Sequence, residues 1–325
     1  MNLSFVGDWA PMGPCENRFD TDLTVANLEC AFADGEIMSE KAYASVLPRS
    51  CMDNIPSGGF AALSVANNHV NDAGNFRETY AELMRCFPNI QFFGTVENPY
   101  AVFKSTNQES GSQTIVIGCL EPCRSRGNFI FRQEDVGGLI RKLRTNHQPP
   151  TTHYQLRIYV YPHWGKEGEY TRYPAPWQLK LARYWIDIGA DGVFGSHSHV
   201  PQGREFYHGK PIYYSLGNFD FDHSESRLYE GTSDHLRVMV EESAGTCTEE
   251  FSSATVQRTV EEASSELTGW NNWRWARKVG PFNLKKNEAS WRIRLKKDFF
   301  KTFPKYMVWQ LLPRTLFFRI ASLCR

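Results

Sequence analysis

An α/β fold of alternating strands and helices is predicted for this chain by three observations. Short apolar runs rich in Val, Ile, Phe and Tyr recur from Leu3 to Leu216, each closed by Gly, Asn or Pro. That is the pattern of buried strands. Stretches with apolar residues at helical spacing lie between several of these runs, and strands alternating with helices imply layered α/β packing. The 325 residues are 41% hydrophobic and 14% aromatic, enough side-chain volume for one large folded domain plus an appendage.

Residues 3–6 form the first expected strand, which ends in Gly7-Asp8. Residues 23–26 end in Asn27-Leu28-Glu29, and residues 62–66 in Asn67-Asn68-His69. A helix is expected over residues 76–87, where Tyr80, Leu83, Met84 and Phe87 share one face. The strand at 156–161 ends in Pro162-His163-Trp164-Gly165. Residues 176–188 read as a helix with Pro at its start and Gly189 at its stop. Val193-Phe194 ends in Gly195-Ser196-His197-Ser198-His199, and residues 212–216 in Gly217-Asn218. Beyond Asp222, residues 236–241 and 251–261 are expected to pair as an edge hairpin, with the polar stretch 243–250 between them. A soft boundary near Thr268 separates residues 1–268 from a C-terminal extension, 269–325.

Formal net charge is zero, so no overall field calls for a nucleic acid. The charge is unevenly placed. From residue 270 to 325 fourteen Lys and Arg face only Glu288 and Asp298, after a stretch rich in Glu. The extension mixes these basic residues with Phe, Trp, Leu and Ile, and Pro304 and Pro313 break it. It suits a membrane interface or a partner surface; the alternative is a helical layer on the domain with snorkelling basic side chains. Eight scattered cysteines include no C-x-x-C pair, so neither a zinc ribbon nor a disulfide framework is expected. MNLSFVGDWAP has no basic, apolar signal pattern, and no run nears the roughly 18 apolar residues of a membrane span. A reduced, cytoplasmic protein, peripheral to the inner face of the membrane if the extension binds it, is the expectation.

Each polar cluster sits at the carboxyl end of its strand, where sites of open α/β sheets collect. Singly, each has a plain reading: Asp8 as a turn cap, Asn67-Asn68-His69 as turn chemistry, His163-Trp164-Gly165 as a packed aromatic corner. Jointly they offer what a dinuclear hydrolase centre needs, carboxylates and imidazoles around two cations roughly 3.5–4 Å apart. Asp8 and Glu29 are hard anionic ligands, Asn68 has an amide oxygen, and His163, His197 and His199 supply imidazole nitrogen. In an extended G-S-H-S-H segment, His197 and His199 project to one side.

The motifs FVGD, ANLE, SVANNHVNDAG, HWGKEGEY, YPAPWQ and IDIGADGVFGSHSHVPQGREFYHGKPIYYSLGNFDFD, in this order, resemble the CapA family of bacterial poly-γ-glutamate capsule synthesis, within the calcineurin-like metallophosphatase superfamily. The resemblance covers roughly residues 1–225 and is most specific from His163 to Asp222. It implies a four-layer α/β/β/α sandwich and two divalent cations (Mn, Fe or Zn). Asp8 and His199 would hold the first, Asn68, His163 and His197 the second, and Glu29 would stand where the superfamily has its bridging Asp. His69 would be the non-ligand histidine that protonates the leaving group or stabilises charge on the phosphoryl oxygens. The superfamily's first motif, D-x-H, is here Asp8-Trp9-Ala10, which makes the first position weak or dependent on Asn27.

Among the remaining residues, Asn27, Asn67 and Asn218 fit roles behind the ligands. Glu167 and Glu169 read as residues that orient a ligand histidine or contact substrate, or as solvated loop charges; the two readings are even for Glu167, which fits the family's H-W-G-x-E spacing. Arg124 and Arg126 read as surface charge or as anion binders. Two functions follow. One is a metal-dependent hydrolase of an ester or amide, phosphoester first, in capsule, exopolysaccharide or poly-γ-glutamate synthesis, acting on an anionic polymer or a phosphorylated precursor. The other is a non-catalytic assembly subunit that keeps the metal for structure.

Overall fold

The computed structural model describes residues 2–15, 23–35, 44–104, 112–121, 129–146, 155–165, 172–220, 235–241 and 246–275. In chain order its strands are β1 (Asn2–Trp9), β2 (Leu23–Leu28), β3 (Ala31–Phe32), β4 (Val46–Leu47), β5 (Phe60–Ser64), β6 (Gln91–Phe93) and β7 (Tyr100–Lys104). They continue as β8 (Gln113–Leu120), β9 (Leu156–His163), β10 (Gly192–Phe194), β11 (Arg204–Tyr207), β12 (Lys210–Tyr213), β13 (Leu236–Glu241) and β14 (Cys247–Phe251). A 3-10 helix spans Arg49–Gly58, and the α-helices are α1 (Phe76–Cys86), α2 (Val136–Asn146), α3 (Pro176–Asp187) and α4 (Ala254–Trp275).

Two six-stranded sheets carry the fold, in the orders β14-β13-β1-β2-β5-β6 and β11-β12-β10-β9-β8-β7. Their central pairings are parallel and their outer pairings antiparallel, except at β6, which pairs parallel with β5. The faces they turn to each other bury one core, with Leu3, Phe5, Val25 and Ala62 from the first sheet against Val116, Tyr159, Phe194 and Tyr213 from the second. The 3-10 helix and α1 cover the outer face of the first sheet through Met52, Ile55, Phe76 and Leu83. Helices α2 and α3 cover the second through Val136, Ile140, Leu179 and Trp185. The architecture is thus the four-layer α/β/β/α sandwich, and strands buried on both faces explain the near-continuous apolar runs.

Both expected helices form, within a residue of their sequence limits. The expected hairpin is corrected. Its first arm is β13, but the second is β14, Cys247–Phe251, and most of 251–261 belongs to α4. The reason lies in Val256, Val260, Ala263 and Leu267, which recur at helical spacing and are all buried. Ser253 caps that helix, its Oγ accepting the N–H of Val256 at 3.2 Å. Helix α4 runs continuously past Thr268. The rest of the basic extension lies outside the described residues, as do Arg124, Arg126, Glu167 and Glu169. Among the described residues no helix is long and apolar enough to cross a membrane.

A bulge in β1 prepares the site. The β1–β2 register shifts between Phe5 and Asp8, which breaks the alternation of sides. Leu3 and Phe5 face the second sheet, whereas Trp9 joins Val6 in the outer core. Asp8, opposite Trp9, is thereby turned toward the second sheet. Gly7 is required here: a Cβ would lie 1.8 Å from the carbonyl oxygen of Gly217, whose segment crosses to pair Asn218 with Asp8.

Candidate metal centre

The polar strand ends of both sheets meet in one buried cluster. The first sheet contributes Asp8 near the end of β1, Glu29 just beyond β2, and Asn67, Asn68 and His69 in the turn after β5. The second contributes His163, the last residue of β9, and His197 and His199 after β10. Asp8, Glu29, Asn27 and Asn67 are 0% exposed. His163 Nε2 lies 2.6 Å from Asn68 Oδ1, 3.0 Å from His197 Nδ1 and 3.5 Å from Glu29 Oε1. His199 Nδ1 lies 3.7 Å from Asp8 Oδ2, and its Nε2 lies 3.8 Å from Glu29 Oε1. Donor atoms of Asp8, Glu29 and His163 all fall within 4.8 Å of one another, as do those of Glu29, His197 and His199.

The electrostatics suit a cation. Burial alone would raise the Asp8 carboxyl, but the hydrogen bond and charge of His163, with the charge of His199, hold it well below the usual carboxylate range. Burial pushes His163 below the ordinary imidazole value, against the pull of Asp8. Burial also pushes His197 well below it, reinforced by the neighbouring imidazoles. Two neutral imidazoles beside a buried carboxylate are the protonation states metal ligands require. His163 Nε2 carries at most one proton yet faces three atoms with lone pairs. A divalent cation resolves that crowding of acceptors, so the residues present fit one.

The backbone that delivers the histidines departs from expectation. The G-S-H-S-H segment is not extended: His197 has φ 97° and His199 φ 59°, left-handed conformations that cost non-glycine residues of order 1–3 kcal/mol each. Strain of this kind persists where surrounding contacts over-determine it. The His197 N–H donates to Asp8 Oδ2 at 2.9 Å, and His199 Nδ1 meets Asn218 Oδ1 at 2.8 Å. Gly195 is needed just before, because a Cβ would lie 2.2 Å from the Tyr214 carbonyl oxygen and 2.5 Å from Trp164 Nε1.

Asn27 does not offer an oxygen to the first position, as the sequence had allowed. Its Nδ2 donates to Asp8 Oδ1 at 2.8 Å, and its Oδ1 accepts from Asn67 Nδ2 at 3.1 Å. His69 faces the cluster, with Nε2 4.0 Å from Glu29 Oε1.

Two further residues escaped the sequence reading. Asp72 Oδ2 lies 2.7 Å from His69 Nδ1 and also accepts the Ser45 N–H at 2.9 Å; its only sequence signal is its place three residues after His69. Glu121, at the end of β8, accepts the Gly165 N–H at 2.6 Å and holds the turn after His163. Nothing in E-P-C-R marks it.

The family described as bacterial capsule synthesis protein PGA_cap matches residues 9–223. The capsule biosynthesis protein CapA of Bacillus anthracis is 29% identical over 183 residues, 53% of this chain and 43% of that protein. A Mycobacterium tuberculosis protein named probable polyglutamine synthesis accessory protein is 30% identical over 239 residues, 67% of this chain and 60% of its own length. The matches thus span about half of these relatives. Among solved structures, a phosphatase from Mycoplasma pneumoniae is similar at TM-score 0.47 and 11% identity, over 79% of this chain and 96% of that one. A 5′-nucleotidase from Candida albicans SC5314 is similar at TM-score 0.46 and 9% identity, over 91% and 58%. Matched over more than half its length by one family, the chain belongs to the PGA_cap family of bacterial capsule synthesis proteins, the CapA family whose motifs it carries.

Proposed function

We propose that the chain is a metal-dependent hydrolase of the dinuclear type, acting on an ester or amide bond, phosphoester first, in capsule, exopolysaccharide or poly-γ-glutamate synthesis. The observation that carries the proposal is the convergence on His163 Nε2 of Asn68 Oδ1, His197 Nδ1 and Glu29 Oε1 within 3.5 Å. Asn68, His163 and His197 would hold one divalent cation, Asp8 and His199 the other, with Glu29 shared between them. Bound there, Mn, Fe or Zn supplies Lewis-acid polarisation of the scissile group and an acidified water as nucleophile.

The chain's own residues supply the rest. Asp72 anchors His69 at Nδ1, which leaves Nε2 turned to the cluster to hand a proton to the leaving group. Ser196 Oγ, 3.1 Å from His163 Nδ1, would accept a hydrogen bond from that ring nitrogen, the tautomer that leaves Nε2 free to ligate. Asn218 does the same for His199. An anionic polymer or a phosphorylated precursor is the proposed substrate class, supported by the capsule and polyglutamine names of the relatives. A membrane or synthesis-complex contact through the C-terminal extension is proposed on its charge alone.

The test is metal quantification by mass spectrometry together with turnover of an aryl phosphodiester in Mn²⁺. Wild type is run beside His69→Ala and His197→Ala. Bound metal with activity lost in both variants is expected. A second reading, the assembly subunit, is favoured by the word accessory in the mycobacterial relative's name. It predicts bound metal, no turnover of phosphoesters or γ-glutamyl amides, and normal cellular function for His69→Ala. A protein that binds no metal would sink both.

A further inference from the structure

Asn27 and Asn67 are buried side by side behind the ligands, and the orientation of both amides is dictated by the backbone. Asn67 Oδ1 accepts the N–H groups of His69 at 3.0 Å and Val70 at 2.9 Å. Backbone nitrogens only donate, so this end of the side chain is its oxygen. Asn67 Nδ2 donates to the Leu28 carbonyl at 2.8 Å and to Asn27 Oδ1 at 3.1 Å. A flipped Asn67 would set donors against two N–H groups and an oxygen against a carbonyl.

The sense of the next bond follows. With its oxygen committed to Asn67, Asn27 turns its NH₂ into the cluster. Nδ2 lies 2.8 Å from Asp8 Oδ1, 3.2 Å from His163 Nδ1 and 3.4 Å from Glu29 Oε2. An amide N–H cannot ligate a cation. It competes with one for the carboxylate lone pairs it occupies, and between two carboxylates it does part of a cation's work.

We propose that Asn27, locked by Asn67, is a positioning residue that makes the two cation positions unequal: tight on Asn68, His163 and His197, weak on Asp8 and His199. The inference rests on the metal-centre reading above and deepens it. The missing D-x-H histidine takes one ligand from the Asp8 side, and Asn27 takes a lone pair of the Asp8 carboxylate as well. The same Asn67 oxygen caps the turn carrying Asn68 and His69. One side chain therefore sets both the geometry of the tight position and the weakness of the other.

Metal-free protein titrated with Mn²⁺ by calorimetry, with electron paramagnetic resonance read at one and two equivalents, tests this. Wild type is expected to show a tight event and a second event at least about tenfold weaker, with spin-coupled signal only beyond one equivalent. Asn27→Asp replaces the donor with a carboxylate oxygen and is expected to tighten the weak event on the order of tenfold while sparing the tight one. Asn67→Asp keeps the oxygen that caps the His69 turn but reverses the next bond, so Asn27 turns its oxygen inward and the weak event tightens again. Two equal events in wild type overturn the inference and leave the metal centre standing. So does an unchanged weak event in whichever Asp variant still melts cooperatively. No Mn²⁺ uptake by wild type overturns the metal centre itself.

Discussion

Burial and charge oppose each other at Asp8 and His163 and largely act together at His197, and the outcome predicts how stability responds to pH. His163 and His197 have folded-state values below the ordinary imidazole value, burial being the largest cause in each. In the unfolded chain these rings take up protons as pH falls through about 6.5, while in the folded protein they resist until lower pH. The stabilisation is therefore fully present above about pH 6.5 and is lost as pH drops toward the folded values. Asp8 acts with the same sign further down, because its carboxylate is also held low. Urea unfolding of the metal-free protein from about pH 8 to pH 5 is expected to show a midpoint that declines below about pH 6.5. A flat midpoint would mean that other groups compensate. Asp72 belongs to this scale too. It orients His69 without reaching the cluster, so Asp72→Asn is expected to lower turnover on the order of 10²-fold with metal content unchanged. Loss of metal along with activity would make Asp72 a prop for the whole turn instead. The residues of the cluster were legible in sequence because Asp8, Glu29, Asn68 and the histidines follow apolar runs. Asp72 and Glu121 belong to none of the expected clusters, and what they do depends on which backbone N–H or ring nitrogen the fold brings to them.

At the scale of elements, the strands that end in the site are those whose residues announced it. Strands β1, β2, β5, β9 and β10 finish in Gly, Asn or His clusters, and α3 opens on Pro176 and stops before Gly189. Strand β8, QTIVIGCL, is as apolar as any of them but ends in a lone glutamate, and α2 begins Val136-Gly137-Gly138, which masks its helical spacing. The histidine segment was the least legible. A positive φ is uncommon even for His, and contacts 189 and 19 residues away in the chain hold His197 and His199 there. Gly7 is legible once the crossing backbone of Gly217 is seen. Gly7→Ala is expected to destabilise by about 3 kcal/mol through overpacking. It should also weaken Mn²⁺ binding, because Asn218 and Asp8 are joined at that crossing. Chemical denaturation beside metal titration checks both. A stable variant with normal binding would show that the Gly217 segment yields easily.

For the whole molecule, the alternation of strands and helices predicts layers but not that two sheets face each other; that came from the family resemblance. What sets their separation is aromatic packing in the middle core. Phe5 of β1 stacks on Phe194 of β10, with ring centroids 3.9 Å apart and planes 6° apart, and meets Tyr159 of β9 edge-on at 5.6 Å. Asp8 and His197 each lie three residues beyond a ring of that stack. The stack is therefore the spacer between the carboxylate half of the centre and the histidine half. Removing it leaves a void that a close-packed interior fills only in part. Phe5→Ala is expected to cost about 3–5 kcal/mol in stability and, with no ligand altered, to weaken Mn²⁺ binding as the two halves lose their fixed separation. Phe5→Leu keeps much of the volume and is expected to cost about 1.5 kcal/mol and to keep most of the affinity. Calorimetric Mn²⁺ titration of both variants, run where each is folded, separates the explanations. If Phe5→Ala binds Mn²⁺ as wild type does, the turns carrying the ligands, and not the packing of the two sheets, fix the geometry of the centre.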